Sequence, residues 1–156
     1  MHIHSEVYLH AILVVDENSW NLPPASLPSQ YQFVRQSFEN LSSKVLAING
    51  LTDHVHILFK QNPSISLDEL LKRVRLSSAW SLNNHLLPNK RFAWKNTYYA
   101  FTIGGEEIGE HKEYIESQEE IHLSLSTDEE LQKLIEEYQL KYDGDKPEDL
   151  DEDAYN

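Results

Sequence analysis

Thr52-Asp53-His54-Val55-His56-Ile57-Leu58-Phe59 is the stretch that decides how this chain is read. Side chains at i and i+2 leave a β-strand on the same face. His54 and His56 therefore stand side by side, with Val55, Ile57 and Phe59 on the other face. Such a pair has the geometry to hold a divalent metal ion. The alternative at this point is a strand that merely carries two exposed histidines. A second His-x-His, His2-Ile3-His4, shows how readily so short a pattern arises by chance.

Outward from this strand, residues 44–48 are strand-forming and Asn49-Gly50 signals a tight turn, which predicts a hairpin. Residues 6–15 read as a further strand. His10 lies within it, and its expected role is structural, with an approach to the histidine pair as the alternative. Pro23, Pro24 and Pro28 break the segment that follows. Tyr31, Val34, Phe38 and Leu41 recur at spacings of three and four, which predicts an amphipathic helix over 29–41. Asn62-Pro63 ends the hairpin. Ser66 with Glu69 three residues later forms a helix-start signal, and Leu67, Leu70, Leu71, Val74 and Ser78 mark the buried stripe. A strand over 94–103, a Gly104-Gly105 break, a helix over 106–120 and a helix over 127–142 complete the order. In the last helix, Asp128, Glu129 and Glu130 suit the positive N-terminal end. Strand, helix, strand, strand, helix, strand, helix is the order of an α+β chain. It predicts a split β-α-β with an antiparallel four- to five-stranded sheet and helices packed on one face.

Tyr114 and Gln118 are four residues apart in the 106–120 helix, which places the phenol and the amide on one face. A tyrosine hydroxyl attacks phosphorus or carbonyl centres once its pKa, ordinarily about 10, is lowered. A glutamine carbonyl oxygen is a hard ligand that would join two imidazoles in a mixed donor set. Taken alone, a Tyr and a Gln on a helix are ordinary surface residues.

The order of these pieces over residues 7–120 resembles the small HUH-type tyrosine transposases of single-stranded DNA, the insertion-sequence 200/605 type and their REP-associated relatives. The resemblance implies that His54 and His56 are metal ligands, that Gln118 is the third, and that Tyr114 is the nucleophile. It implies a ferredoxin-like fold, a divalent Mg2+ or Mn2+ cofactor, and single-stranded DNA hairpins as substrate. It also implies a homodimer whose active sites are shared between protomers, with Gly104-Gly105 as a flexible joint; a plain strand-to-helix turn is the equal alternative. On this reading residues 1–122 form the catalytic domain, 123–142 a C-terminal helix and 143–156 a tail.

The net charge of −13 runs against DNA binding, because phosphate contacts need Lys and Arg. The charge is unevenly spread. Residues 70–105 contain Lys72, Arg73, Arg75, Lys90, Arg91 and Lys95 and no acidic residue, and these six are the expected DNA-binding surface. Trp80, Trp94 or Tyr98 would offer stacking faces for unpaired bases. Residues 143–156 carry seven acidic residues against Lys146 and almost no apolar content, which predicts disorder. Asp16 and Glu17 stand where relatives often carry a basic turn. There is no cysteine, so disulfides and thiolate metal sites are excluded. The longest apolar run, Ala11-Ile12-Leu13-Val14-Val15, is far too short for a membrane span, and a cytoplasmic protein without a signal peptide is expected. Two other functions fit the same residues: a non-catalytic or domesticated module that binds DNA or protein, and a metal-dependent nuclease that hydrolyses without rejoining.

Overall fold

Apolar residues alternate along β1 (Tyr8–Val15) and β3 (His54–Lys60), and each strand gives one set to each face of a sheet. The computed structural model describes residues 2–86 and 89–140. The chain runs β1, α1 (Leu27–Asn40), β2 (Lys44–Leu51), β3, α2 (Leu67–His85), β4 (Trp94–Ile103), α3 (Ile108–Glu116), α4 (Gln118–Ile121) and α5 (Thr127–Glu137). Among the described residues the sheet has four strands in the order β2-β3-β1-β4. Every neighbouring pair is antiparallel, which is the ferredoxin-like split β-α-β.

Leu9, Ala11 and Leu13 of β1 and Val55, Ile57 and Phe59 of β3 form one core with Val34 and Phe38 of α1 and Leu70, Leu71 and Val74 of α2. Each large side chain buried there contributes roughly 1.5–3 kcal/mol by leaving water. Ser66 starts α2 as expected, its Oγ accepting the Glu69 N–H at 3.1 Å. The opposite face carries Ile12, Leu58, Phe101 and Ile103, covered by Ile115 of α3 and Leu131 and Leu134 of α5. So α1 and α2 share one face, and the tyrosine-bearing segment docks on the other face of its own sheet.

Three local details differ from the sequence reading. Asn49-Gly50 is not the turn: Leu51 pairs with His54, leaving Thr52-Asp53 as the two-residue connection. Gly50 lies inside β2, where a Cβ would stand 2.1 Å from the His54 carbonyl oxygen, so the glycine is required by close backbone approach rather than by a turn. The helix expected over 106–120 is broken at Ser117 (φ −96°, ψ 17°), which divides α3 from α4. α5 ends at Glu137, with Gln139 in the left-handed region (φ 51°) and the Leu140 N–H donating to the Ile135 carbonyl at 2.9 Å. The predicted helix extended to 142; Lys141 and Tyr142, like the 143–156 tail, lie outside the described residues.

Candidate metal and tyrosine site

β3 directs His54 and His56 to the face covered by α3, α4 and α5. Both are fully buried rather than exposed, because those helices close over them. α3 contributes Tyr114. The break at Ser117 starts a new helical turn at Gln118, and His122 caps that turn. α5 contributes Glu130, which is 1% exposed. Six side chains thus converge at the centre of the sheet.

Glu130 is the hub. Its Oε1 lies 3.1 Å from His54 Nε2, 3.1 Å from His56 Nε2 and 2.9 Å from His122 Nε2. Its Oε2 accepts hydrogen bonds from Gln118 Nε2, at 2.7 Å, and from the Tyr114 hydroxyl. Gln118 Oε1 in turn lies 2.9 Å from His54 Nε2 and 3.1 Å from His122 Nε2. The ligand atoms of His54, His122 and Glu130 all lie within 4.8 Å of one another.

The outer nitrogens are also held. His54 Nδ1 faces Asp53 Oδ1 at 2.8 Å, His122 Nδ1 faces the Leu125 carbonyl at 2.8 Å, and His56 Nδ1 lies 2.8 Å from His10 Nε2. His10 continues through Nδ1 to His111 Nδ1 at 3.0 Å, and His111 Nε2 lies 3.1 Å from the Tyr138 hydroxyl. His10 is fully buried and reaches the site through His56; this contact joins the structural role expected for it to the site itself. His111, given no role from sequence, belongs to the same chain of contacts.

These contacts set the charges. Burial works to lower the His54 pKa, but hydrogen bonds to Asp53, Glu130 and Gln118 outweigh it and raise the value to about 9. His56 is lowered, chiefly by burial. His10 is held well below the ordinary histidine value, by burial and then by the neighbouring His56 and His111. Burial would raise Glu130, yet hydrogen bonds from His54 and His56 prevail and its carboxyl is depressed. Burial, then the hydrogen bond to Glu130, pushes the Tyr114 phenol up. In this closed arrangement the phenol is protonated.

Imidazole nitrogens, a carboxylate oxygen and an amide oxygen facing one point are the donor set that divalent ions take, so the residues present fit such an ion. His54, His56 and Gln118 are brought together, and Tyr114 of the same chain joins them, where the sequence reading expects the tyrosine to come from a partner subunit. His122 and Glu130 were missed. His122 had one legible signal, its i+4 spacing from Gln118, whereas Glu130 read as an acidic residue complementing a helix N-terminus.

The six basic residues are not part of this cluster. α2 packs on the sheet face away from the histidines. There Arg73 and Lys72 pair with Glu69 at 2.9 and 3.7 Å. Arg75 Nη1 donates to the Lys95 carbonyl at 3.5 Å and lies near Asn96 Oδ1 at 3.4 Å. Lys90 sits over the Trp20 ring at 6.0 Å, and Arg91 and Lys95 are exposed. Of the candidate stacking aromatics, Trp94 is buried and donates its indole N–H to Ser78 Oγ at 2.9 Å. The Tyr98 hydroxyl is bonded to Asp68, whereas Trp80 is 62% exposed. By contrast, residues 104–140, which cover the histidine face, hold twelve acidic residues against Lys112 and Lys133. No helix among the described residues is long and apolar enough to cross a membrane.

The comparisons agree with the fold. A candidate transposase from Deinococcus radiodurans R1 superposes with a TM-score of 0.60 at 17% identity, over 76% of this chain and 95% of that one. A REP-associated tyrosine transposase, solved bound to a REP hairpin, superposes with a TM-score of 0.53 at 13% identity, over 78% of this chain and 71% of that one. No curated protein matches the chain in sequence. Residues 3–118, which carry both histidines, Tyr114 and Gln118, match the family described as IS200-like transposases, and the chain belongs to that family.

Proposed function

We propose that this chain cleaves and rejoins single-stranded, hairpin-containing DNA in the cytoplasm through a 5′-phosphotyrosine on Tyr114. The observation that carries the reading is the convergence of Tyr114 with His54, His56 and Gln118 on one buried point. His54, His56 and Gln118 hold the divalent ion, Mg2+ or Mn2+, which when bound supplies Lewis-acid polarisation of the scissile phosphate. Tyr114 attacks phosphorus in line. The bond from phosphorus to the 3′-oxygen breaks, the phenolic proton is lost, and the departing oxygen gains one to become a 3′-hydroxyl. The phosphotyrosine stores the bond energy, so attack by a 3′-hydroxyl rejoins the strand without a nucleotide cofactor.

Lys72, Arg73, Arg75, Lys90, Arg91 and Lys95 form the surface for hairpin phosphates, with Trp80 available for base stacking. The chain works as a two-fold homodimer. Tyr114 reaches the histidines of its own chain here, and exchange of α3 about Gly104-Gly105 would present it to the partner's. Light scattering at micromolar concentration tests the dimer; a monomer with full activity would remove it.

The activity itself is tested by incubating the protein with a library of hairpin oligonucleotides and Mn2+, then looking for adducts that survive denaturation. Peptide mapping should place the attachment at Tyr114. A non-catalytic DNA- or protein-binding module is the second reading, favoured by the acidic cover over the histidine face. Binding without adduct on any hairpin, with either metal, would establish it in place of the first.

A further inference from the structure

Glu130 is an expensive residue to bury. A carboxylate taken out of water has to be matched by charge or metal, and this one is 1% exposed at the middle of the protein. It lies twelve residues beyond the segment that matches the family, as does His122 four residues beyond, so neither belongs to the shared motif. Yet both meet His54, the ligand atoms of the three lying within 4.8 Å of one another, and Glu130 also meets His56. Three imidazole Nε2 atoms, those of His54, His56 and His122, lie within 2.9–3.1 Å of one Glu130 oxygen.

The outer contacts of the histidines give an independent sign. A metal-ligating histidine has its second ring nitrogen held by a carboxylate, a backbone carbonyl or water, which fixes the ring and aims the first nitrogen. His54 and His122 obey this here, and His56 has another imidazole in that place. His54 is held by Asp53, His56 by His10, and His122 by the backbone carbonyl of Leu125. Nothing in a helix-capping or surface role requires His122 to be locked at Nδ1 with Nε2 turned inward against Gln118 Oε1 and Glu130 Oε1.

We infer that His122 and Glu130 are metal ligands in this chain, completing with His54, His56 and Gln118 a nitrogen-rich centre that takes a transition-metal ion, of the Mn2+ to Zn2+ class, in preference to Mg2+. The inference rests on the proposed metal site and extends it. Imidazole suits Zn2+ and Fe2+, and Mn2+ tolerates it better than Mg2+, which is held by oxygen and water. The added carboxylate supplies a negative charge that two histidines and a glutamine lack.

Calorimetric titration of the full chain with Zn2+, Mn2+ and Mg2+ tests this without reference to activity. The wild type should bind Zn2+ and Mn2+ far more tightly than Mg2+. Glu130→Gln and His122→Ala should each weaken Zn2+ binding by about tenfold or more, with unchanged far-ultraviolet dichroism. Should Glu130→Gln fail to fold, His122→Ala carries the same test, because His122 lies outside the regular helices. Loss of binding in His54→Ala/His56→Ala but undiminished affinity in both His122→Ala and Glu130→Gln would overturn this inference and leave the smaller site standing. Equal affinity for Mg2+ and Zn2+ would overturn the metal preference. A wild type that binds none of the three ions would remove the metal site altogether.

Discussion

His10 Nε2 lies 2.8 Å from His56 Nδ1, across the β1–β3 pairing that aligns Ile12 with His56. With both rings fully buried, each nitrogen depends on the other for its hydrogen bond. The contact holds the His56 ring in place and turns Nε2 toward Glu130. His10→Ala is expected to destabilise the fold by about 1–3 kcal/mol, since it strands buried nitrogens of His56 and His111. It should also weaken Mn2+ binding by about 10–100-fold. Nitrogen-15 imidazole shifts supply the readout specific to positioning. A variant whose His56 tautomer and metal affinity are unchanged would reduce His10 to a packing role.

Tyr114→Phe is expected to abolish covalent DNA adducts while leaving metal binding and the thermal melt nearly unchanged, because the phenol hydroxyl is one of several donors to Glu130. Among the tyrosines of the described residues, only this one shares a carboxylate with the histidines. Adducts that persist in Tyr114→Phe would move the nucleophile elsewhere.

His54 predicts an alkaline loss of stability. It faces Asp53, Glu130, Gln118, Thr127, His56 and His122. Its folded pKa is raised from 6.5 to about 9. The stabilisation is therefore fully present below pH 6.5 and is lost as pH rises through 9. Its size is on the order of 3 kcal/mol, from the shift itself. Thermal melts in chelator between pH 6.5 and 10 should show wild type losing its margin over His54→Gln. A constant difference between the two across that range would contradict the raised value.

Gln30 is fully buried in α1, and neither of its amide atoms has a partner among the described residues. A buried, unbonded amide costs about 1–3 kcal/mol. Gln30→Leu should therefore raise the melting temperature without touching DNA cleavage, since α1 covers the face away from the histidines. A lower melting temperature would mean that the amide has a partner in solution.

Residues 143–156 add seven acidic residues against Lys146 to an already acidic chain. Removing them should tighten single-stranded DNA binding, most at low salt where screening is weak. Filter-binding or anisotropy titrations at low and physiological salt measure this. An unchanged affinity at low salt would deny the tail a competing role.

The order of strands and helices and a sheet of four to five strands were legible in the chain, because alternation and 3.6-residue periodicity are local properties of consecutive residues. The same parity placed His54 and His56 on one strand face, and β4 is found at the bounds read for it, Trp94–Ile103. What meets those histidines depends on the packing of distant segments. Asn49-Gly50 reads locally as a turn, but the nearness of the His54 carbonyl to Gly50 exists only once β2 and β3 are paired. Ser117 breaks the tyrosine helix through backbone angles that no spacing rule specifies. Glu130 reads as one of three acids in a first helical turn, and α5's packing through Leu131 and Leu134 carries it inward while Asp128 and Glu129 stay in water. A carboxylate's role depends on what surrounds it, and the surroundings of Glu130 come from β3, α3 and α4, segments up to 76 residues away in the chain.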